Sequence, residues 1–266
     1  MSAPAQTVIR TRPPGARALR ALTLAEARLF LRDPGSAFFA LAFPAILLIG
    51  VGFAIPGMRD VITDQPEPWA GLRAVDVFAP VALATAIATP ALSTMPVALA
   101  GYREQGVLRR LCTTPMRPQG VLVSQVVIGV VALVLASVVA LAAAALVFDA
   151  PAPRQPATAL LAFVLGAAAM FGVGLLIAAR AGKASTAGSL GMLVYFPMLF
   201  FAGMWTPGPI MPDAVAKVAA WTPLGAASQA LTAAWFEGGV PAMQLLVMAG
   251  YVAVLYPLAA RLFRWS

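Results

Sequence analysis

Few residues in this 266-residue chain could carry out covalent chemistry. Histidine is absent and Cys112 is the single cysteine, which removes histidine-based triads, thiolate metal sites, haem ligation and intrachain disulfides. Ser93, Ser124, Ser137, Ser185, Ser189 and Ser228 are available as nucleophiles in the apolar part of the chain. A membrane-embedded transferase or protease would need an activating base or clustered acids beside one of them, and neither is present. The only lysines, Lys183 and Lys217, lie outside any GxxxxGK[ST] phosphate loop, so the chain has no ATP cradle of its own. What remains is charge. Gly101 to Pro118, GYREQGVLRRLCTTPMRP, is a polar island holding Arg103, Glu104, Arg109, Arg110 and Arg117 between two long apolar runs, closed by Pro115 and Pro118.

The elements around that island are apolar. Hydrophobic residues make up 61% of the chain, charged residues 11%, and mean hydropathy is +0.88. Soluble domains carry about 25% charged residues, and a core of this size could not hide so much apolar surface from water. The solvent is therefore lipid, and the expected class is an all-α polytopic membrane protein. The net charge of +8 reads as the positive-inside bias of cytoplasmic loops rather than as a nucleic-acid surface.

Residues 1–35 form an arm. Its proline-rich start is followed by ARALRALTLAEARLFLRD, Ala16 to Asp33, which has helix formers and no internal Pro or Gly. Leu19, Leu22, Leu29 and Leu24, Ala27, Leu31 give two apolar stripes, with Arg20, Arg28 and Arg32 placed to face anionic lipid headgroups. A solvated lead-in helix is the alternative. The long polar lead and the lack of a small-residue cleavage site argue against a cleaved signal peptide.

The transmembrane domain, 36–266, contains six continuous apolar segments, at 36–56, 77–100, 121–148, 157–179, 185–206 and 241–260. A spanning helix needs about 20 residues, and the segments lack the alternation of barrel strands. Six basic residues lie in the arm, four in loop 101–120, two in 180–184 and two in the tail. The opposite side has Arg59, Arg73, Arg154 and Lys217. Fourteen against four puts both termini in the cytoplasm, and an even number of spans agrees.

The spans hold no ionisable side chain away from their edges, where Asp76 and Arg180 sit. A proton relay needs such a group at membrane depth. An ion-coupled carrier could still use backbone carbonyls, but the energy for any transport is expected to come from elsewhere. The third span has Ala132, Ala136, Ala140 and Ala144 at four-residue spacing, and Ala168/Gly172, Ala184/Gly188 and Ala187/Gly191 repeat the small-xxx-small pattern of close helix contacts. Pro44, Pro80, Pro90, Pro96 and Pro197 are candidate hinges, since each removes a backbone hydrogen bond. Loop 57–76 is acidic. The segment 204–240 is too rich in proline to span; Asp213–Ala220 and Leu224–Phe236 read as two short helices dipping into the outer leaflet, split after Trp221 at Thr222-Pro223. Surface helices in an ordinary loop are the alternative.

Four stretches, in order, resemble the permease subunits of type-2 ATP-binding-cassette (ABC) exporters, including antibiotic-resistance exporters of actinobacteria: ARLFLRDPGSAFFALAFPAILL, YREQGVLRRLCTTPMRP, FFAGMWTPGPIMP and WTPLGAASQAL. The likeness runs from about residue 20 to near the end. One departure is the order Arg103-Glu104, where the family often has Glu-Arg. The resemblance implies two permease copies working with two cytoplasmic ATPase subunits, with ATP and Mg bound on the partner and no cofactor in this chain. It also implies a role for the island as a coupling helix, Tyr102 to Leu111. Glu104 near its start and Arg109 and Arg110 near its end suit the helix dipole. Gly106 lies between them, and Val107, Leu108 and Leu111 form an apolar patch for a partner groove. The alternative is a charged loop that only enforces orientation. The uncharged interior points to amphipathic or lipid-like cargo, drugs or antibiotics among them.

Overall fold

The computed structural model describes residues 16–63, 66, 68–107 and 119–262, and among these no strand forms. The arm helix α1 runs Ala16–Arg32. It stops because Asp33 caps the next helix, α2 (Pro34–Leu41), accepting a hydrogen bond from the Ser36 amide at 3.3 Å, with Pro34 pre-set for the first turn. The Asp33 carboxyl also accepts from the Ser36 hydroxyl at 2.6 Å, and these bonds hold it below the usual carboxylate range.

The first span, expected as one helix over 36–56, is broken. Helix α3 (Phe43–Ala54) follows α2 at a bend of 58°. Pro44 is the cause: it cannot donate to the carbonyl one turn back, and its ring crowds that turn. Among the described residues five further helices are long and apolar enough to cross a membrane, or six spans counting the bent pair. The second span, Ala74–Glu104, consists of α4 (Ala74–Ala88), a π-helical segment (Thr89–Thr94) and α5 (Met95–Glu104). Then come α6 (Gln119–Phe148), α7 (Pro156–Arg180) and α8 (Ala184–Phe201). The short α9 (Asp213–Ala219) and α10 (Pro223–Phe236) precede α11 (Ala242–Leu262).

The fifth span was expected to reach residue 206, but α8 ends at Phe201. Gly203 takes φ +87, and the Met204 amide bonds back to the Leu199 carbonyl at 3.2 Å, closing the helix with a left-handed residue that only glycine adopts cheaply.

The second span is the axis of the bundle. Every residue of α4 from Val75 to Ala88 is buried, packed by α3, α6, α7, α8 and α10. Its π segment starts where Pro90 withholds a backbone donor, a common cause of such bulges. Pro96 opens α5 just beyond. Pro80 and Pro197 lie inside helices that run on without a break, as does Pro257 in α11. The third-span alanines, Ala132, Ala136, Ala140 and Ala144, are all buried, so the smooth stripe is the contact face of α6.

The arm, the end of α5, the α7–α8 turn and the end of α11 share one end of the bundle, the basic end. A cysteine at Gly182 in that turn, with Cys112 replaced by alanine, is expected to resist an impermeant maleimide applied outside cells. One at Gly238, after α10, is expected to react. Both positions have open space for a side chain. The reverse labelling pattern would overturn the orientation.

Candidate functional site at the basic end of the second span

Four contacts gather on the last turn of α5. Helix α7 ends with carbonyls that have no partner in their own helix. The Arg103 guanidinium supplies one, donating from Nη1 to the carbonyls of Ala178 at 2.8 Å and Ala181 at 2.6 Å. Three residues on, α8 begins with free amides, and the Ala184 N–H donates to Glu104 Oε2 at 2.9 Å. The two side chains thus hold the Ala181–Lys183 turn from both ends: a cation on the negative end of α7, an anion on the positive end of α8.

The neighbouring Tyr102 turns the other way. Its hydroxyl donates to the Glu26 carboxylate on α1, and the Gln125 amide on α6 donates to the same oxygen at 2.8 Å. Glu26 and Gln125 are both buried, so these bonds offset the cost of removing a carboxylate from water. A cavity of about 200 Å³ beside them is lined by Glu26, Asp33, Ser93, Thr94, Tyr102 and Gln125 among others.

The arm therefore packs differently from its apolar stripes. Leu22 and Glu26 face α6 and α5, while Leu24, Leu29, Leu31 and the arginines Arg20, Arg28 and Arg32 are exposed. Glu26 is the residue that sequence reasoning missed. Its signal was present, an acid one turn after Leu22 on the same helical face.

The continuous helix expected over Tyr102–Leu111 is interrupted. Gly106 adopts φ +68 just after the Gln105 cap, so Tyr102, Arg103 and Glu104 belong to the second span, and Val107 lies beyond the turn. Leu108, Arg109 and Leu111 lie outside the described residues.

At the opposite end, arginines again satisfy helix C-termini. Arg73 donates to the Phe148 carbonyl at the end of α6 and grips buried Asp76 with Nη2–Oδ1 at 2.7 Å and Nε–Oδ2 at 3.0 Å. The Asp76 bonds push the Arg73 guanidinium above the usual arginine range, against the opposing effect of burial. Thr222 caps α10 by accepting from the Gly225 amide at 3.2 Å, and Pro223 occupies the first turn. Pro223 and Leu224 are buried and α10 lies among α4, α7 and α11, whereas Trp221 is exposed. The two short helices are thus present where expected, with α10 deep in the bundle. A cavity of about 560 Å³ beside them is lined by Trp69, Asp213, Lys217, Trp221, Gln229 and Glu237 among others. Among the described residues no group of side chains has the make-up of a metal site.

A family model described as ABC-2 type transporter matches residues 17–236, from the arm helix through the end of α10. No curated protein matches the chain significantly.

Proposed function

The chain belongs to the ABC-2 type transporter family, and on that premise we propose that it is the permease subunit of an exporter driven by ATP hydrolysis on a separate cytoplasmic subunit. The observation that carries this reading is the last turn of α5. It ties α1, α6 and the α7–α8 turn to one short segment, from which the chain passes directly into the basic loop. A partner that pushes on Val107 and the residues after it would move the ends of four helices together.

In this reading two copies of the chain pair in a bacterial plasma membrane. They move amphipathic or lipid-like compounds, with drugs and antibiotics in that class, out of the cell. ATP and Mg are held by the ATPase; this subunit does no chemistry. Of the stretch Tyr102 to Leu111, the part from Val107 onward is the docking segment, with Tyr102, Arg103 and Glu104 at the end of α5 as positioning residues rather than contact residues.

The test is reconstitution of the full chain with an ATPase encoded by a neighbouring reading frame. The vesicles are expected to move a fluorescent amphiphile only with ATP, and the ATPase to co-purify. Movement driven by a proton or sodium gradient without ATP would overturn the proposal.

A further inference from the structure

Helices α6, α7 and α10 leave a recess of about 320 Å³ between them, floored by Leu83 of α4. Its walls include Val134, Val138, Leu141, Phe163 and Trp235. The hydroxyl of Ser137, also in the wall, is spent on the Leu133 carbonyl at 2.8 Å, so the recess presents no polar group of its own. Leu141 lies about 10 Å of helix before the end of α6 at Phe148, and Val134 about 20 Å. In a hydrocarbon layer of about 30 Å the recess runs from Ala159, about 5 Å below the start of α7, to a little past the middle at Val134. Val134 and Val138 are exposed at its mouth, so it opens sideways towards lipid.

Above the recess stands an arginine. The Arg154 amide donates to the Trp235 carbonyl at 3.3 Å, and its Nη1 donates to the Phe236 carbonyl at 3.0 Å. The Trp235 indole N–H donates to the Pro151 carbonyl at 3.1 Å, which fixes the polar edge of the ring towards the loop while the ring itself lines the recess. The other far-end cations are matched differently: Arg73 has Asp76, Arg59 lies 4.8 Å from the centre of the Phe53 ring, and Lys217 shares its cavity with Asp213. Arg154 is exposed and has no carboxylate within 4.0 Å among the described residues. The positive end of α7, which starts two residues later, adds to its field.

We infer that this recess holds one acyl chain of an anionic phospholipid of the far leaflet, with the phosphate at Arg154. The acyl chain is apolar like the recess, the headgroup charge is opposite to that of Arg154, and the Arg154 amide is bonded to the carbonyl of Trp235, whose ring lines the recess. The site faces lipid, away from the basic-end contacts, and does not depend on what the transporter carries.

The test reconstitutes the full chain in phosphatidylcholine vesicles containing a minor fraction of lipid with brominated acyl chains, which quench nearby tryptophan emission. The brominated lipid is either phosphatidylglycerol or phosphatidylcholine, and each protein is measured beside its Trp235→Phe counterpart to isolate Trp235. Quenching of Trp235 is expected to be roughly fivefold more effective with the anionic lipid, the preference that one interfacial arginine confers. Arg154→Gln should bring the two lipids to parity. Val138→Phe, at an exposed wall position, should remove Trp235 quenching by both. Parity in the unmodified chain, preference that survives Arg154→Gln, or quenching that survives Val138→Phe would each overturn the inference. So would no quenching of Trp235 by either lipid, the result expected if a second copy of the chain covers the recess.

Discussion

Gly174→Ala is expected to destabilise the bundle by about 1–3 kcal/mol, and Gly174→Leu to prevent recovery of folded protein. The reason lies in the π segment of the second span. There the axis helix turns its Ala91 and Leu92 carbonyls outward, and two glycines receive them: Gly174 of α7 against Ala91 and Gly191 of α8 against Leu92. A Cβ at either glycine would lie under 3.0 Å from the carbonyl oxygen, and the atom it meets is backbone, which cannot swing aside. At Gly174 the Met95 methyl also stands 2.9 Å from that Cβ, so the second obstacle is flexible but the first is not. The contact is one that small residues permit in membranes, where close backbone approach replaces the hydrophobic effect as the cause of helix association. Gly250→Ala and Gly50→Ala supply the contrast. Both glycines lie within helices with open space around them, so alanine there should stabilise by about 0.5–1 kcal/mol through helix propensity alone. Thermal midpoints of the four alanine variants in one detergent decide the matter. Gly174→Ala and Gly191→Ala no less stable than Gly250→Ala would mean that the π segment does not set this packing.

The same region shows what could be read from sequence and what could not. The alanine stripe of α6 was legible because four-residue spacing places small residues on one face whatever they meet. The break at Thr222-Pro223 is legible because the effect of a proline on the chain before it is local. Gly191 was found as part of a small-xxx-small pair, but the partner it meets was not, since Leu92 lies on another span and the oxygen involved is exposed only by the π turn. The spacing pattern selects Gly172 rather than Gly174, two residues away, because composition cannot say which glycine faces a carbonyl. Gly172 instead approaches Leu255 of α11.

The basic end follows the same division. Its charge marks an island and predicts a sidedness, yet the sequence pattern groups Arg103 and Glu104 with Arg109 as members of one helix. Gly106 separates them, and nothing in a run of helix formers marks which glycine will take positive φ. Glu26 shows the complementary limit. A lone acid on an apolar face is visible in sequence, but the tyrosine and glutamine that make its burial tolerable are 76 and 99 residues away along the chain.

Removing the two positioning side chains should therefore uncouple the transporter rather than inactivate its motor. Glu104→Ala strips the acceptor from the first amide of α8, and Arg103→Met strips the donor from the last carbonyls of α7. Each leaves the sequence beyond Gly106, the proposed docking segment, unchanged. With the ATPase subunit present, ATP hydrolysis is expected to persist while transport per ATP falls by about 5–150-fold, the range of a coupling free energy of roughly 1–3 kcal/mol. The two changes act on one turn, so the double variant should lose less than the product of the single losses. Arg103→Met also leaves carbonyls short of a partner and should lower the thermal midpoint. That loss alone would reduce hydrolysis and transport together, which is why their ratio is the deciding readout. An unchanged ratio in both variants, with the partner still bound, would show that motion does not pass from the basic loop to α7 and α8 through this turn.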